Sequence, residues 1–215
     1  MKTVYIYCEG QTEEAFINEV LYPYFMNIGI YVIPIICTTK RTKIAKFKGG
    51  VSDYSKIKTE LRILCKEHRN SLVTTMFDYY GMPDNTPGIG NNEPDIFKHI
   101  SYIEDEITKD IEMPNLFFGL NLHEFEGLLF SNPASFSVVA DKNIVNELDN
   151  IRNSFDTPEH INNSLETAPS KRLEALIPNY PKVKNGAIVS KEIGIDKILK
   201  ECRHFAHWIE KIKSC

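Results

Sequence analysis

The chain has 215 residues, 42% hydrophobic and 25% charged, which excludes a disordered or fibrous protein and supplies enough apolar surface for a packed core. A net charge of −4 and a pI near 5.9 exclude a global attraction to nucleic acid or anionic membrane, so any such binding must rest on a local patch. No apolar run approaches the roughly 20 residues that span a bilayer, and Lys2 leads into a strand without a signal-peptide pattern, which points to a cytoplasmic protein.

Residues 4–7 (VYIY) are β-branched or aromatic and read as the buried first strand of a parallel sheet. Gly10 permits a tight turn, Thr12 is the expected N-cap, and Glu13 and Glu14 occupy the first turn of a helix through Phe16, Ile17, Val20 and Leu21, where acids complement the helix dipole. Glu9 has no such structural reason. It lies at the carboxyl end of the strand, the edge where open α/β sheets bind ligands.

Residues 31–37 form a second strand, and Pro34, which cannot donate to a ladder, assigns it to an edge or a bulge. Residues 38–50 hold Lys40, Arg41, Lys43, Lys46 and Lys48 without an acid, a patch suited to sequence-independent contacts with a nucleic-acid backbone or simply solvated. Residues 53–66 read as an amphipathic helix capped by Ser52 or Asp53, and 72–77 as a third strand ending in Asp78. Residues 79–94, rich in Pro, Gly, Asn and Asp, form a long loop of the kind that often carries function. A helix over 95–110 and a fourth strand over 116–122 complete three βα units, which argue for a doubly wound, mostly parallel sheet with right-handed crossovers.

Past His123 the pattern changes. Residues 124–130 read as a short helix, and helical pieces follow around 144–155, 171–177 and 195–212 with no convincing strand. The expected organisation is an α/β core over residues 1–135 with a helical region, 136–215, packed on it as one unit. The five cysteines are odd in number, lack a CxxC pair and mostly sit in apolar runs, as reduced core thiols do. Cys202, His204 and His207 have the spacing of half a metal site, but Ile198, Cys202, Phe205 and Trp208 repeat at helical intervals and predict a packed face. No GxSxG, P-loop or GxGxxG motif occurs.

Parallel strands bring their carboxyl ends to one edge, so Glu9, Asp78 and Glu124 or Glu126 can converge there. Crowded carboxylates repel one another, and a hard cation such as Mg²⁺ relieves that repulsion while leaving positions open for phosphate oxygens. The basic segment after strand two emerges at the same edge. Ser170, Lys171, Arg172 and Lys182 form a weaker cationic cluster, and His123 beside Glu124 could serve as a base.

EGQTEE at 9–14, TTMFDYYGMP at 74–83, HEFEGLLF at 123–130, SKRLE at 170–174 and IGIDKILKECRHFAHW at 193–208 together resemble the bacterial domain-of-unknown-function family 4276. That family is similar to the Toprim fold of topoisomerases, primases and the overcoming-lysogenization-defect nucleases, and is often encoded beside ATPases in phage-defence loci. The resemblance implies a Toprim-like α/β fold and a Mg²⁺- or Mn²⁺-dependent nuclease partnered by an ATPase of the AAA or ABC type. Glu9 with Gly10 matches the Toprim Glu–Gly position and Asp78 the first acid of its D-x-D pattern, with Glu124 or Glu126 as a further acid. Lys171 is implied as the cation near the scissile phosphate, with Arg172 beside it. The sequence departs from the pattern at Tyr80, which stands where the second Asp is expected. That departure motivates an alternative, a non-catalytic subunit that docks on an ATPase or binds nucleic acid.

Overall fold

In a computed structural model that describes residues 2–38, 53–161 and 166–214, the first strand, β1 (Lys2–Cys8), lies inside a parallel sheet ordered β2-β1-β3-β4. β2 (Ile30–Ile36) and β3 (Leu72–Asp78) flank β1 in parallel register, Cys8 opposite both Ile36 and Met76. β2 is the edge strand, as Pro34 required.

Side-chain alternation along β1 divides the core in two. Val4, Ile6 and Cys8 join Phe16, Ile17 and Leu21 with the C-terminal residues Phe205, Trp208 and Ile212. Tyr7 faces the other way with Ile57 and Leu61 of α3 (Tyr54–Glu67) and Ile100, Ile103 and Ile107 of α4 (Ile96–Ile111). The sheet is thus covered by helices on both faces, the α/β arrangement expected. Cys8, Cys37, Cys65 and Cys202 are buried thiols outside any disulfide. No helix among the described residues is long and apolar enough to cross a membrane.

Several elements differ in detail from the sequence reading. The N-cap of α1 (Gln11–Phe16) is Gly10, not Thr12, because the Glu13 carboxylate reaches back to accept the Gly10 N–H at 2.9 Å. The helix then widens into a π turn over Ile17–Leu21 before α2 (Tyr22–Met26), where Pro23 lacks the N–H an unbroken α-helix would use. The fourth strand is split into β4 (Leu116–Phe117) and β5 (Leu120–Asn121), both paired with β3. Between them the Thr75 hydroxyl takes over the ladder, donating to the Gly119 carbonyl and accepting from its N–H, each at 2.8 Å. Residues 125–131 are a 3₁₀ segment rather than an α-helix, and all seven residues are buried.

The C-terminal pieces become α5 (Lys142–Asn153), α6 (Pro169–Leu176), α8 (Ile195–Glu201) and α9 (Arg203–Ser214), plus α7 (Lys182–Ile193), which the sequence reading lacked. α8 and α9 are not one helix: Glu159 accepts the His204 and Phe205 N–H groups at 3.0 and 2.9 Å and so caps α9 at a break. The packed-face reading of this segment holds. Cys202 and Phe205 are buried, and His204 is bonded to Glu104 at 3.0 Å.

Candidate functional site

β1 and β3 are neighbours and run the same way, so Glu9, one residue past β1, and Asp78, the last residue of β3, meet at the carboxyl edge of the sheet. Glu9 is buried to 6% exposure. The Gly81 backbone presses on its carboxylate so closely that a Cβ at Gly81 would lie 3.0 Å from Oε1. Asp78 Oδ1 accepts two bonds of 2.9 Å, from Asn121 Nδ2 and from the Phe125 N–H, which fixes the carboxylate plane. β5 places Asn121 directly opposite Asp78, and the start of the 3₁₀ segment supplies Phe125.

Two further acids join them. Glu13, held by its bond to Gly10, has its pKa pushed up to about 7 by burial first and then by the charge of Glu9, with Glu126 adding to it. Burial, then Glu9, Glu13 and Glu126, raises Asp78 well above the ordinary carboxylate range. Glu126 is 6% exposed and is raised by burial, against the pull of Lys182. These four side chains therefore share one electrostatic environment with too much negative charge for its solvation.

Lys182 is the cation that the fold brings to them. Its Nζ stands 3.8 Å from Glu126 Oε1 and 3.1 Å from Glu174 Oε1, and those acids raise its pKa against the effect of burial. Lys171 instead forms an exposed pair with Glu174 at 2.6 Å, one turn along α6. Arg172 donates to the Thr167 carbonyl at 2.7 Å and lies over the Phe155 ring. Glu124 accepts the Ser170 N–H at 2.9 Å at the start of α6, an anchoring role. Lys40, Arg41, Lys43, Lys46 and Lys48 lie outside the described residues.

Behind this edge a small cleft is lined by Asn121, His123, Glu124, Glu159 and His204. Burial, with His160 nearby, lowers the His123 pKa to about 4, so its imidazole is neutral at pH 7, and its buried Nδ1 has no partner. The Tyr180 hydroxyl, close enough to Glu126 to feel its charge, is likewise buried without a partner.

Sequence reasoning had reduced Glu13 to a helix cap, and the structure shows it capping and crowding the acids at once. It had also set Lys182 behind Lys171. Asn121 and Tyr180 carried no signal beyond their places near the end of a strand and before a proline.

The donor set suits a hard cation, since every ligand on offer is a carboxylate oxygen. Among the described residues, however, no group of three or more His, Cys, Asp or Glu side chains is already arranged to hold a metal ion.

Among solved structures, the C-terminal region of the Burkholderia pseudomallei OLD protein is similar over 98% of each chain, at 15% identity and a TM-score of 0.47. No curated protein matches the sequence. The family model described as "Domain of unknown function (DUF4276)" matches residues 8–213. With nearly its whole length covered, the chain belongs to the DUF4276 family.

Proposed function

We propose that this protein is a Mg²⁺- or Mn²⁺-dependent nuclease with a Toprim-like core, the effector partner of an ATPase in a bacterial phage-defence system. The observation that carries the reading is the crowding of Glu9, Glu13, Asp78 and Glu126 at the carboxyl edge, where burial and then the charges of neighbouring acids, Glu9 and Glu126 among them, make Glu13 and Asp78 harder to ionise. Glu9, Asp78 and Glu126 would hold the cation, which when bound supplies an activated water and offsets phosphate charge. Asn121 and the Phe125 N–H hold Asp78 Oδ1, leaving Oδ2 to face a ligand. Lys182, partly exposed beside Glu126, presents positive charge to a phosphate. Lys40, Arg41, Lys43, Lys46 and Lys48 supply the grip on the nucleic-acid backbone.

Purified protein incubated with plasmid and Mn²⁺, alone and with the neighbouring ATPase, tests this. Glu9→Gln and Asp78→Asn should each abolish cleavage, and cleavage unaffected by both changes defeats the reading.

Tyr80 at the second acidic position favours one other reading, a non-catalytic subunit that docks on the ATPase. Calorimetry with no Mn²⁺ binding but tight binding to the ATPase would select it.

A further inference from the structure

Tyr80 follows Asp78 by two residues, so their Cα atoms lie within about 7 Å. The short 3₁₀ turn that carries it, Tyr79–Gly81, is pinned at every residue. The Tyr79 hydroxyl meets His99 Nε2 at 3.0 Å, which commits that ring to α4. The Tyr80 N–H reaches the His123 carbonyl at 3.4 Å, and the Met82 N–H returns to the Tyr79 carbonyl at 3.1 Å. Gly81 packs under the Glu9 carboxylate. The turn is therefore locked between the two acids that define the site, while the Tyr80 side chain is left 43% exposed.

A large aromatic ring exposed on a rigid turn has already lost the backbone entropy that a flexible loop would lose on binding. What it offers is a flat π face beside a site built for phosphate. A phenol is a poor ligand for Mg²⁺, so Tyr80 does not restore the acid that the Toprim pattern has there. A base inside a duplex is covered on both faces by its neighbours, whereas an unpaired base has a free face to stack.

We propose that Tyr80 is a stacking platform for an unpaired nucleobase next to the phosphate held at Glu9 and Asp78, which makes single-stranded nucleic acid, or the frayed end of a duplex, the preferred substrate. This rests on the nuclease reading of the acid site. It assigns the aromatic residue at the second acidic position to substrate selection.

Fluorescence anisotropy with a labelled 12-nucleotide oligothymidine and with a blunt duplex of the same length, in Ca²⁺ in place of Mg²⁺ or Mn²⁺ so that the acids are offset while cleavage is not supported, separates the possibilities. Wild type should bind the single strand more tightly. Tyr80→Ala should weaken that binding about tenfold and leave the duplex unchanged, and Tyr80→Trp should retain it. Equal single-strand binding by wild type and Tyr80→Ala overturns the inference, as does a wild-type preference for duplex. Cleavage assays run in parallel keep the two ideas apart. Active enzyme with binding indifferent to Tyr80→Ala removes the stacking role alone, whereas Tyr80-dependent binding without cleavage under any condition removes the nuclease reading and leaves the stacking role standing.

Discussion

Trp208 lies over Gly119 and donates its indole N–H to the Thr74 hydroxyl at 3.0 Å, so a residue of the last helix completes the break between β4 and β5. A Cβ on Gly119 would sit 2.4 Å from the indole nitrogen and 2.8 Å from the Thr75 carbonyl. Because part of that obstruction is backbone, the clash cannot be relieved by a rotamer change. Gly119→Ala should cost about 3 kcal/mol, at the upper end for overpacking, measured by urea unfolding. A loss below about 1 kcal/mol would mean that the indole moves freely.

Glu13 gives a pH dependence of definite sign. Below about pH 4.5 the carboxyl is protonated in both folded and unfolded chains and contributes nothing. Between pH 4.5 and 7 the unfolded chain releases the proton while the folded one keeps it, so stability falls as pH rises, by up to about 3 kcal/mol, and the loss is complete above pH 7. His123 acts oppositely, since its lowered pKa makes stability fall as pH drops from 6.5 towards 4. The difference between wild type and Glu13→Gln isolates the first effect: the variant, which keeps an oxygen for the Gly10 N–H, should gain on wild type between pH 5 and 7.5. A constant difference across that range would contradict the crowding.

Lys182 and Lys171 can be told apart. Both are partly exposed, so Lys182→Met and Lys171→Met should each change stability by less than about 1 kcal/mol. In the proposed nuclease, cleavage should drop at least tenfold in Lys182→Met and stay near wild type in Lys171→Met. The reverse order would return the role to Lys171.

Tyr180→Phe removes a buried hydroxyl that has no hydrogen-bond partner among the described residues. An unsatisfied buried donor is a net cost, so the variant should be as stable as wild type or more stable by about 1 kcal/mol, read as a higher melting temperature in calorimetry. A clear fall would reveal a bound water or ligand at that hydroxyl.

The parallel sheet, the edge position that Pro34 suggested for the second strand and the meeting of Glu9 with Asp78 were legible because they follow from apolar runs and from the parallel topology those runs impose. The break at Gly119 was not, since it depends on Thr75 and Trp208, distant residues whose fit leaves no local pattern. α7 was hidden for a related reason. Asn185 and Gly186 weaken its helical signal, yet both are buried, and a Cβ at Gly186 would already lie 3.4 Å from Phe125 and from Thr12. Lys182 could not be ranked over Lys171 from spacing, because only the fold decides which lysine reaches Glu126 as well as Glu174 and which pairs with Glu174 alone.

The Trp208–Thr74 bond also sets a timetable. At about 5–20 residues per second, the ribosome makes Trp208 roughly 7–27 seconds after Thr74, and the core shared by Val4 and Ile212 must wait even longer. Through that interval one face of the nascent sheet has only the helical segment of residues 11–26 to cover it. The segment that seals the fold arrives after every strand it covers, so β1 and β3 keep part of their apolar face open until α9 docks.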